Sequence, residues 1–373
     1  MKLRISLRSV SKALSTASDA TRIPLTTATK ELASFLRDGG SNITVLTGAG
    51  VSTDSAIPDY RGENGTYTLN PDYKPVFFQA FVASDEARHR YWARSFLGFP
   101  PIMTTEPNPT HYALASLQSS VPVQGPSLDV NNKDAVQDSS KSGYIRSFIT
   151  QNVDGLHQKA GARNVLELHG TLHHIKCMTC GHEEDRSDFQ QVLADLNPEW
   201  NDLLQSQSTS RLYTRMNADG DVELKTPEQQ EQHHHQQQHS SKDKVLDYRT
   251  FQYPTCSCCG VGHYKPSVVF FGENIPPATK ESSSQAILES NGLLVIGTSL
   301  ATFSAFRLVQ LAKDTGIPIA MINLGQSRGD SLADLRYDEN SSLLLKAVAL
   351  ELGLGNIPGA IKRRKQVMNV VGS

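Results

Sequence analysis

Short apolar runs alternate with segments of helical spacing along most of the chain, which is the order expected of an α/β fold with a parallel sheet. A first helix is predicted over residues 26–38, where leucine and phenylalanine recur on one face before two glycines. A buried strand follows at 43–46. Residues 292–296 and 317–322 predict two further strands, joined by a helix over 301–314. This β-α-β unit resembles half of a nucleotide-binding sheet.

Glycine-rich or polar turns follow three of the predicted strands, at 48–52 (GAGVS), 297–299 (GTS) and 323–325 (NLG). The carboxyl ends of parallel strands meet at one edge of a sheet, so we expect these turns to converge. Backbone N–H groups exposed in such turns can hold a phosphate, which predicts a nucleotide site. The dinucleotide fingerprint of dehydrogenases would need a glycine at position 53, which is Thr53.

Two apolar runs in the middle of the chain also lead into polar residues. The run at 144–149 precedes Gln151, Asn152 and Asp154, and the run at 165–168 precedes His169-Gly170. A histidine with an ordinary pKa of about 6.5 exchanges protons near neutral pH. The adjacent glycine lets a ligand approach the backbone closely. His169 is therefore a candidate base, with a buried core histidine as the alternative.

Helices and a loop lie between these strands. The loop at 57–67 combines an aromatic, a carboxylate and a guanidinium, and we interpret it as a candidate lid over a cofactor, with a solvated loop as the alternative. Residues 77–99 have helical spacing, and their aromatic side chains, which include Tyr91 and Trp92, are predicted to be core. Pro109 predicts the first position of another helix.

Four of the five cysteines form two C-x2-C pairs, Cys177 with Cys180 and Cys256 with Cys259. Each pair turns two thiolates toward one tetrahedral ion, which predicts a zinc site. Cys258 lies inside the second pair, as a bystander or as a replacement ligand. Between the pairs, residues 189–200 predict a small helix and turn. Residues 265–273 predict a strand that leaves the zinc unit and re-enters the main sheet.

Composition and the chain ends narrow the class of protein. The 373 residues carry a net charge of −2, which gives no global bias toward nucleic acid or membrane. No apolar run approaches the roughly 20 residues of a membrane span. Residues 1–25 begin with a basic, serine-rich, amphipathic segment that predicts a mitochondrial transit peptide, with a disordered basic tail as the alternative. The basic run within 356–373 is interpreted as a solvated tail, although a nuclear address has the same composition.

Two stretches predict polar insertions. Residues 118–143 are rich in Ser, Asn, Asp and Gln, with almost no large apolar residue. Residues 227–244 contain HHHQQQH, which could bind a metal but is more typical of an insertion between the cysteine pairs.

The combination of these segments resembles the sirtuins, NAD-dependent protein-lysine deacylases. The matching segments are GAGVSTDSAIPDYRG at 48–62, TQNVDGLH at 150–157, HG at 169–170, the two cysteine pairs, KPSVVFFGE at 265–273, GTSL at 297–300 and NLG at 323–325. Their order is highly specific, and the match covers about residues 30–350. RYWARSFLGFP at 90–100, PNPTHYAL at 107–114, LNPEW at 196–200 and NADGDVEL at 217–224 are similar to the class II, mitochondrial branch.

The resemblance implies a Rossmann-like NAD-binding domain over 26–170 and 264–355, with a smaller zinc-binding domain inserted over 171–263. It implies NAD as a consumed co-substrate, one structural zinc, acylated-lysine proteins as substrates and a mitochondrial matrix location. Neither nucleic acid nor membrane is an implied partner. The candidate catalytic residues are His169 and Asn152. The implied cofactor-binding set is Gly48, Ala49, Gly50, Ser52, Asp59, Tyr60, Arg61, Gln151, Asn152, Asp154, Gly297, Thr298, Ser299, Asn323, Leu324, Gly325 and, by a looser alignment, Ser341.

The family also implies individual roles. His169 would act as general base on a ribose hydroxyl, and Asp154 would hold the nicotinamide carboxamide. The substrate would pair as an added strand with Val268, Val269, Phe270, Phe271 and Gly272.

The class II resemblance favours lipoyl, biotinyl or other longer acyl groups. Succinyl is disfavoured, because we find no tyrosine and arginine pair of the desuccinylating kind after the glycine turn. Three alternatives stay open: a protein mono-ADP-ribosyltransferase of the same fold, an NAD-sensing protein of low activity, and a hydride-transferring dehydrogenase. The missing third glycine opposes the last.

Overall fold

A computed structural model describes residues 23–71, 73–119, 143–206, 216–222 and 246–361. The predicted transit peptide, most of both predicted insertions and most of the basic tail lie outside these described residues. Within them, no helix combines the length and the apolar character needed to cross a membrane.

The described residues contain nine strands, which form two sheets. In chain order they are β1 (Ile43–Thr47), β2 (Ile145–Thr150), β3 (Val165–Glu167), β4 (Gly170–Cys177), β5 (Glu183–Asp185), β6 (Tyr264–Val268), β7 (Gly292–Ile296), β8 (Ile319–Ile322) and β9 (Leu335–Tyr337). The larger sheet has the order β3-β2-β1-β7-β8-β9, and every pair in it is parallel. This is a Rossmann-like order, so the predicted α/β fold class is confirmed.

The helices are α1 (Leu25–Asp38), α2 (Thr66–Leu69), α3 (Phe78–Ala83), α4 (Asp85–Thr104), α5 (Pro109–Ser119), α6 (Leu156–Lys159), α7 (Arg186–Leu196), α8 (Pro198–Ser206), α9 (Pro277–Leu288), α10 (Phe303–Asp314) and α11 (Ser341–Glu351). Pro109 is the first residue of α5, as predicted. Asn108 caps the N-terminus of that helix, because its side-chain Oδ1 accepts a hydrogen bond from Thr110 N at 2.9 Å.

The large sheet is the middle of three layers. Successive side chains of a strand point to opposite faces, and Val45 therefore packs with α1, α5 and α11 while Leu46 packs with α9 and α10. The central strands β1, β7 and β8 are buried along their whole length. That double-sided burial explains why they are continuous apolar runs in the sequence.

The smaller sheet has the order β5-β4-β6 and is antiparallel. Its apolar face packs on a separate core that includes Trp92, Ile175, Phe189 and Tyr264. The prediction that the strand at 265–273 re-enters the main sheet is wrong. Residues 264–268 pair with β4 instead, because the chain that leaves the second cysteine pair runs back along β4, the strand that leads into the first pair.

Some element boundaries also differ from prediction. The single helix expected at 77–99 is two helices, α3 and α4, separated at Ser84, whose hydroxyl accepts a hydrogen bond from Ala87 N at 3.2 Å. The strand predicted from residue 317 begins at Ile319, after Pro318, and the helix predicted from 301 begins at Phe303. The division into two domains at 170 and 264 stays a prediction.

Candidate active site

One cleft of about 1750 Å³ lies at the carboxyl ends of β1, β2, β7 and β8. In the large sheet the order in which strands are added reverses between β1 and β7, and in open α/β sheets ligands bind at such a point. Every residue of the implied cofactor set except Gly48 lines the cleft, as do His169 and all five residues from Val268 to Gly272. The expected convergence of the three turns is therefore observed.

Gly48 serves packing between two of the turns. A Cβ atom at Gly48 would lie 2.6 Å from the Cβ of Thr298, and one at Gly50 would lie 2.8 Å from the carbonyl oxygen of Gly297. Gly50 N also donates a hydrogen bond to that oxygen at 2.8 Å. Gly297 has a φ of +60°, which favours glycine. These glycines hold the turns after β1 and β7 in contact.

A buried polar network joins three strand ends. Ser52 Oγ donates to Asp154 Oδ2 at 2.7 Å and accepts from Asn152 Nδ2 at 3.1 Å. Gln151 Nε2 donates to Thr298 Oγ1 at 2.9 Å. Burial raises the pKa of Asp154 above its ordinary value, while hydrogen bonds from Leu156 N and Ser52 oppose the shift. The polar residues after β2 are thus held in place by the turns on either side.

His169 has a defined tautomer. Its Nδ1 lies 3.1 Å from the carbonyl oxygen of Gln151, which only accepts, so Nδ1 carries the proton. Nε2 is then the basic nitrogen, and it accepts from Ser304 Oγ at 2.8 Å. Burial lowers the pKa of His169 to about 4, against a smaller opposing effect of the bond to Gln151. The ring is neutral at pH 7, as a general base must be.

The loop after β1 reaches across the cleft through Tyr60. The Tyr60 ring lies edge-on to Phe271, with centroids 6.2 Å apart, and tilted against Tyr67 at 5.9 Å. The guanidinium of Arg61 lies over the Tyr67 ring at 5.3 Å. Gly62 N donates to Asp59 Oδ1 at 3.0 Å and so fixes the turn. The aromatic, carboxylate and guanidinium predicted as a lid therefore stand in the cleft wall.

The segment after β6 forms another wall. Val269 N donates to the carbonyl oxygen of His169 at 2.8 Å, and Phe78 N donates to the carbonyl oxygen of Phe271 at 3.0 Å. Phe77 and Phe271 also form an isolated parallel bridge. The segment from Val268 to Gly272 is therefore held between His169 and the chain that enters α3.

The far end of the cleft is formed by the turn after β8 and the start of α11. Asn323 Nδ2 donates to the carbonyl oxygens of Leu324 and Gly325 at 3.1 and 3.2 Å, which closes the turn. Ser341 Oγ lies 2.9 Å from Thr110 Oγ1.

Sequence reasoning missed several residues of the cleft. Ser304 lies on α10, five residues beyond the polar turn at 297–299, and only the packing of that helix brings it to His169. Asp219 belongs to the segment 216–222 and lines the cleft. The sequence of this segment is similar to class II relatives, but that similarity predicts no role for Asp219. Tyr91 was predicted as core and is indeed buried, but it also lines the cleft. His173 and His174 do not line it.

A tyrosine and an arginine lie one helical turn apart beside the cleft, namely Tyr91 and Arg94 on α4. Succinyl is therefore not disfavoured by the lack of a tyrosine and arginine pair. Arg94 is fully buried, however, and its Nη2 lies 2.6 Å from Asp221 Oδ2. Its charge is therefore compensated from within the chain.

The four cysteines of the two pairs converge at the end of the small sheet. Their sulfur atoms all lie within 4.8 Å of one another, with 3.8 Å between Cys177 and Cys259 and 3.7 Å between Cys180 and Cys256. Sulfurs 2.3 Å from a tetrahedral zinc ion would be about 3.8 Å apart, so this arrangement fits zinc. Cys258 is exposed and is not part of the cluster, which favours Cys259 as the ligand.

Comparison with known proteins agrees with the cleft and the cysteine cluster. The family model described as "Sir2 family" matches residues 48–127 and 130–304, which is more than half of the chain. The chain belongs to the Sir2 family, and the predicted resemblance to sirtuins is confirmed.

Curated relatives match over most of their length. The "NAD-dependent protein deacylase SIR4" of Batrachochytrium dendrobatidis is 42% identical over 325 residues, which cover 86% of this chain and 92% of the relative. The "NAD-dependent protein deacylase Sirt4" of Drosophila melanogaster is 38% identical over 296 residues, covering 79% and 78%. The human "NAD-dependent protein lipoamidase sirtuin-4, mitochondrial" is 35% identical over 319 residues, covering 86% and 85%.

Solved structures show the same fold. The structure described as "Sir2-p53 peptide-NAD+" has a TM-score of 0.57 and 24% identity, and the match covers 87% of this chain and 99% of that one. The structure described as "Structure of Sir2Tm bound to a propionylated peptide" has a TM-score of 0.58 and 23% identity, covering 87% and 99%.

Proposed function

We propose that the protein is an NAD-dependent protein-lysine deacylase. The observation that carries the proposal is the neutral, oriented His169, which shares one cleft with the three converging turns and with the segment from Val268 to Gly272. When bound, NAD supplies the ribose that accepts the acyl group, and nicotinamide is released. The relatives named as NAD-dependent deacylases support this assignment.

His169 holds and moves the proton. Its Nε2 faces the cleft as an acceptor, while Nδ1 stays bonded to the Gln151 carbonyl and keeps the ring oriented. A ribose hydroxyl that replaces Ser304 at Nε2 would give its proton to His169. Removing a general base of this kind costs about 10²- to 10⁴-fold in rate.

The strand-end residues bind and orient the co-substrate. We assign the nicotinamide carboxamide to Asp154, whose carboxyl group is fixed by Ser52, and assign Asn152 to the same catalytic end. The turns at 48–52, 297–299 and 323–325, with Ser341, would hold the phosphates, riboses and adenine. Tyr60 would cover the reacting carbon and exclude water.

The acylated lysine would enter with its backbone along the segment from Val268 to Gly272. This segment lines the same cleft as His169, and its backbone would pair with a substrate strand. Backbone pairing gives affinity without reading much of the substrate sequence, so protein targets would be selected elsewhere.

The zinc would be structural. All four ligands are thiolates, which leave no open coordination position for catalysis. The ion would tie β4 to the chain entering β6, and β4 begins one residue after His169.

Longer acyl groups and a mitochondrial location complete the proposal. The human and bovine relatives are named as lipoamidases and as mitochondrial. On that basis we propose lipoyl, biotinyl or similar acyl-lysines as substrates. Residues 1–25 would act as a transit peptide that directs the chain to the matrix.

The test is nicotinamide release from NAD with acetyl-, lipoyl-, biotinyl- and hydroxymethylglutaryl-lysine peptides. Release should depend on the acyl peptide and should fall about 10²- to 10⁴-fold in His169→Ala. The matched control is His174→Ala, since His174 is exposed on β4 outside the cleft and its loss should leave the rate unchanged. Absence of release with every peptide, despite bound NAD, would contradict the proposal.

A further inference from the structure

A cationic rim, formed by Lys280 and Arg307, lies at the side of the cleft next to His169. Lys280 is in the first turn of α9 and Arg307 is in the second turn of α10, and both line the cleft. Arg307 is three residues beyond Ser304, whose hydroxyl lies 2.8 Å from His169 Nε2. Residues three apart on a helix share a face, with Cβ atoms about 5–6 Å apart. The Arg307 side chain therefore begins one helical turn from the hydroxyl that contacts the proposed base.

The guanidinium of Arg307 is held by neutral groups. Its Nη1 donates to Ser284 Oγ and its Nη2 donates to Ser283 Oγ, both at 2.8 Å. Each of these hydroxyls donates its own proton to the carbonyl oxygen of Lys280 at 2.9 Å, so each can only accept from Arg307. The guanidinium is thus fixed in place by groups that carry no charge.

Within the described part of the chain, neither cation of the rim forms an ion pair with a carboxylate. Glu273 also lines the cleft, but Lys265 Nζ at 3.1 Å and Phe270 N at 2.9 Å already engage its Oε2. Glu281 follows Lys280 in α9 and does not line the cleft. The rim therefore presents two positive charges to the cleft that no acid of the cleft wall pairs with.

The backbone adds to this charge. α9 begins at Pro277 and α10 begins at Phe303, each helix is 12 residues long, and both first residues line the cleft. Unsatisfied N–H groups give the N-terminus of a helix a partial positive charge. Two helix N-termini and two cationic side chains meet on one side of the cleft, and together they favour an anion there.

The place of the rim matches a side chain that flanks the acylated lysine. A substrate strand along the segment from Val268 to Gly272 would direct its acyl-lysine toward His169. Side chains alternate between the two faces of a strand, so residues two positions apart share a face and lie about 7 Å apart. The residue two positions before or after the acyl-lysine would therefore also face the cleft, where Arg307 lies one helical turn beyond Ser304.

We propose that the cationic rim selects substrate proteins by binding an aspartate or glutamate side chain two residues away from the acylated lysine. This inference rests on the proposed deacylase function and adds a substrate class to it, namely acyl-lysines with an acidic neighbour. A basic residue at the same position would be repelled by both cations. Backbone pairing would hold the peptide, and the rim would supply the sequence preference.

The test uses acetyl- and lipoyl-lysine peptides of one neutral host sequence, with Glu, Gln or Lys placed in turn at positions −2, −1, +1 and +2. The measured quantity is kcat/KM for nicotinamide release. At −2 or +2 the Glu peptide should exceed the Gln peptide by about threefold to fivefold, the value of one partly exposed ion pair, and the Lys peptide should be the poorest. At −1 and +1 the three should be equal. The advantage should shrink when ionic strength rises from about 0.05 M to about 0.5 M.

Variants of the rim locate the charge that carries the preference. Arg307→Gln keeps a donor for a serine hydroxyl but removes the charge, and it should lose most of the preference for Glu over Gln. The double variant Lys280→Glu/Arg307→Glu should reverse the preference, so that the Lys peptide becomes the best substrate. Lys313→Gln is the matched control, because it changes the net charge equally on the same helix, outside the cleft, where Lys313 pairs with Asp334 at 2.8 Å. Its preference should equal that of the natural chain.

Two other sources of an anion are distinguished in the same assay. A glutaryl-lysine peptide with Gln at every flanking position carries its carboxylate on the acyl group, and NAD carries its own phosphates. A selective loss of the glutaryl rate in Arg307→Gln would assign the rim to the acyl group and overturn the inference. A raised KM for NAD in Arg307→Gln, with an unchanged ratio of Glu to Gln peptides, would assign the rim to the co-substrate and overturn it as well.

Equal turnover of Glu and Gln peptides at all four positions of the natural chain would overturn the inference without any variant. A preference confined to −1 or +1, or one that persists in both rim variants, would place the recognition elsewhere and overturn it too. In each of these cases the peptides are still turned over, so the proposed function stands. No turnover of any peptide would instead overturn the proposed function and this inference with it.

Discussion

The hydroxyl of Ser304 donates a hydrogen bond to Nε2 of His169, the nitrogen that would act as the base, with 2.8 Å between Oγ and Nε2. The opposite ring nitrogen is bonded to the Gln151 carbonyl at 3.1 Å, so the ring cannot turn away without losing that bond. In the free protein, Ser304 thus stands where a substrate hydroxyl has to arrive. Substrate binding must exchange one hydroxyl for another at Nε2, which leaves the basic nitrogen satisfied before and after.

The pH profile of kcat/KM should reflect the buried state of His169. Burial lowers the pKa of this ring to about 4, and a general base works only in its neutral form. The acidic limb should therefore fall as the pH drops through about 4, and activity should persist at pH 5.5, where an ordinary histidine would be mostly protonated. Initial rates with an acyl-lysine peptide from pH 5 to 8, with circular dichroism as a check on folding, measure this. An acidic limb with its midpoint near pH 6.5 would mean that water reaches the His169 ring and that burial does not lower its pKa.

Residues next to the strand ends could be placed from sequence because a parallel sheet brings such ends together whatever the details of packing. That geometry gave Ser52, Asn152, Asp154 and the three turns. Ser304 could not be found in this way, since its contact with His169 depends on how α10 packs across the sheet. Asp219 lies in a short segment of weak pattern, and the buried Arg94–Asp221 pair helps to bring it to the cleft.

The sequence also did not predict which neighbouring strand a given strand pairs with. Residues 265–273 are β-branched and aromatic, which indicates a strand but not which sheet it joins. The large sheet already has six strands in register, and β4 offered the free antiparallel edge. The zinc ligands were easier to predict from the sequence, because two C-x2-C pairs are compatible with few other structures.

Replacing a cysteine of the cluster should remove the zinc, whereas replacing Cys258 should not. Cys177→Ser would leave three thiolates, and a structural zinc site contributes on the order of 10 kcal/mol to folding. The small sheet should then unfold. Cys258→Ser is the matched control, because Cys258 is exposed outside the cluster, and its loss should change stability by less than about 0.5 kcal/mol. Zinc content by mass spectrometry and near-ultraviolet circular dichroism test both, and loss of zinc in Cys258→Ser would make that residue a ligand.

Gly297→Ala should cost more than backbone strain alone. Its φ is +60°, and an added Cβ would lie 2.6 Å from Val51 N, so the turns after β1 and β7 would be forced apart. Gly316→Ala is the control, since Gly316 has a φ of +74° with open space around it. We expect about 1 kcal/mol for Gly316→Ala, and about 1–3 kcal/mol more for Gly297→Ala, with weaker NAD binding only in the latter. Urea unfolding and NAD titration measure the two effects. An equal loss of unfolding free energy in both variants would show that the two turns can move apart without a further cost.

The histidine pair His111 and His157 should make the protein sensitive to acid. Both rings are buried, with centroids 4.7 Å apart, and burial lowers both pKa values, that of His111 to about 3. The unfolded chain takes up protons at these positions below about pH 6.5 while the folded chain does not. Stability is therefore full above that pH and falls as the pH drops, by about 1.4 kcal/mol per unit for each ring.

His111→Asn isolates one of the two contributions. Asn keeps an acceptor for Asn108 N, which now donates to His111 Nδ1 at 3.3 Å, but it cannot be protonated. Between pH 6 and 5 its unfolding free energy should fall by about 1.2 kcal/mol less than that of the natural chain. Urea unfolding at both pH values decides the matter, because an unaltered slope in His111→Asn would mean that the folded protein admits the proton and that burial does not exclude charge from this core.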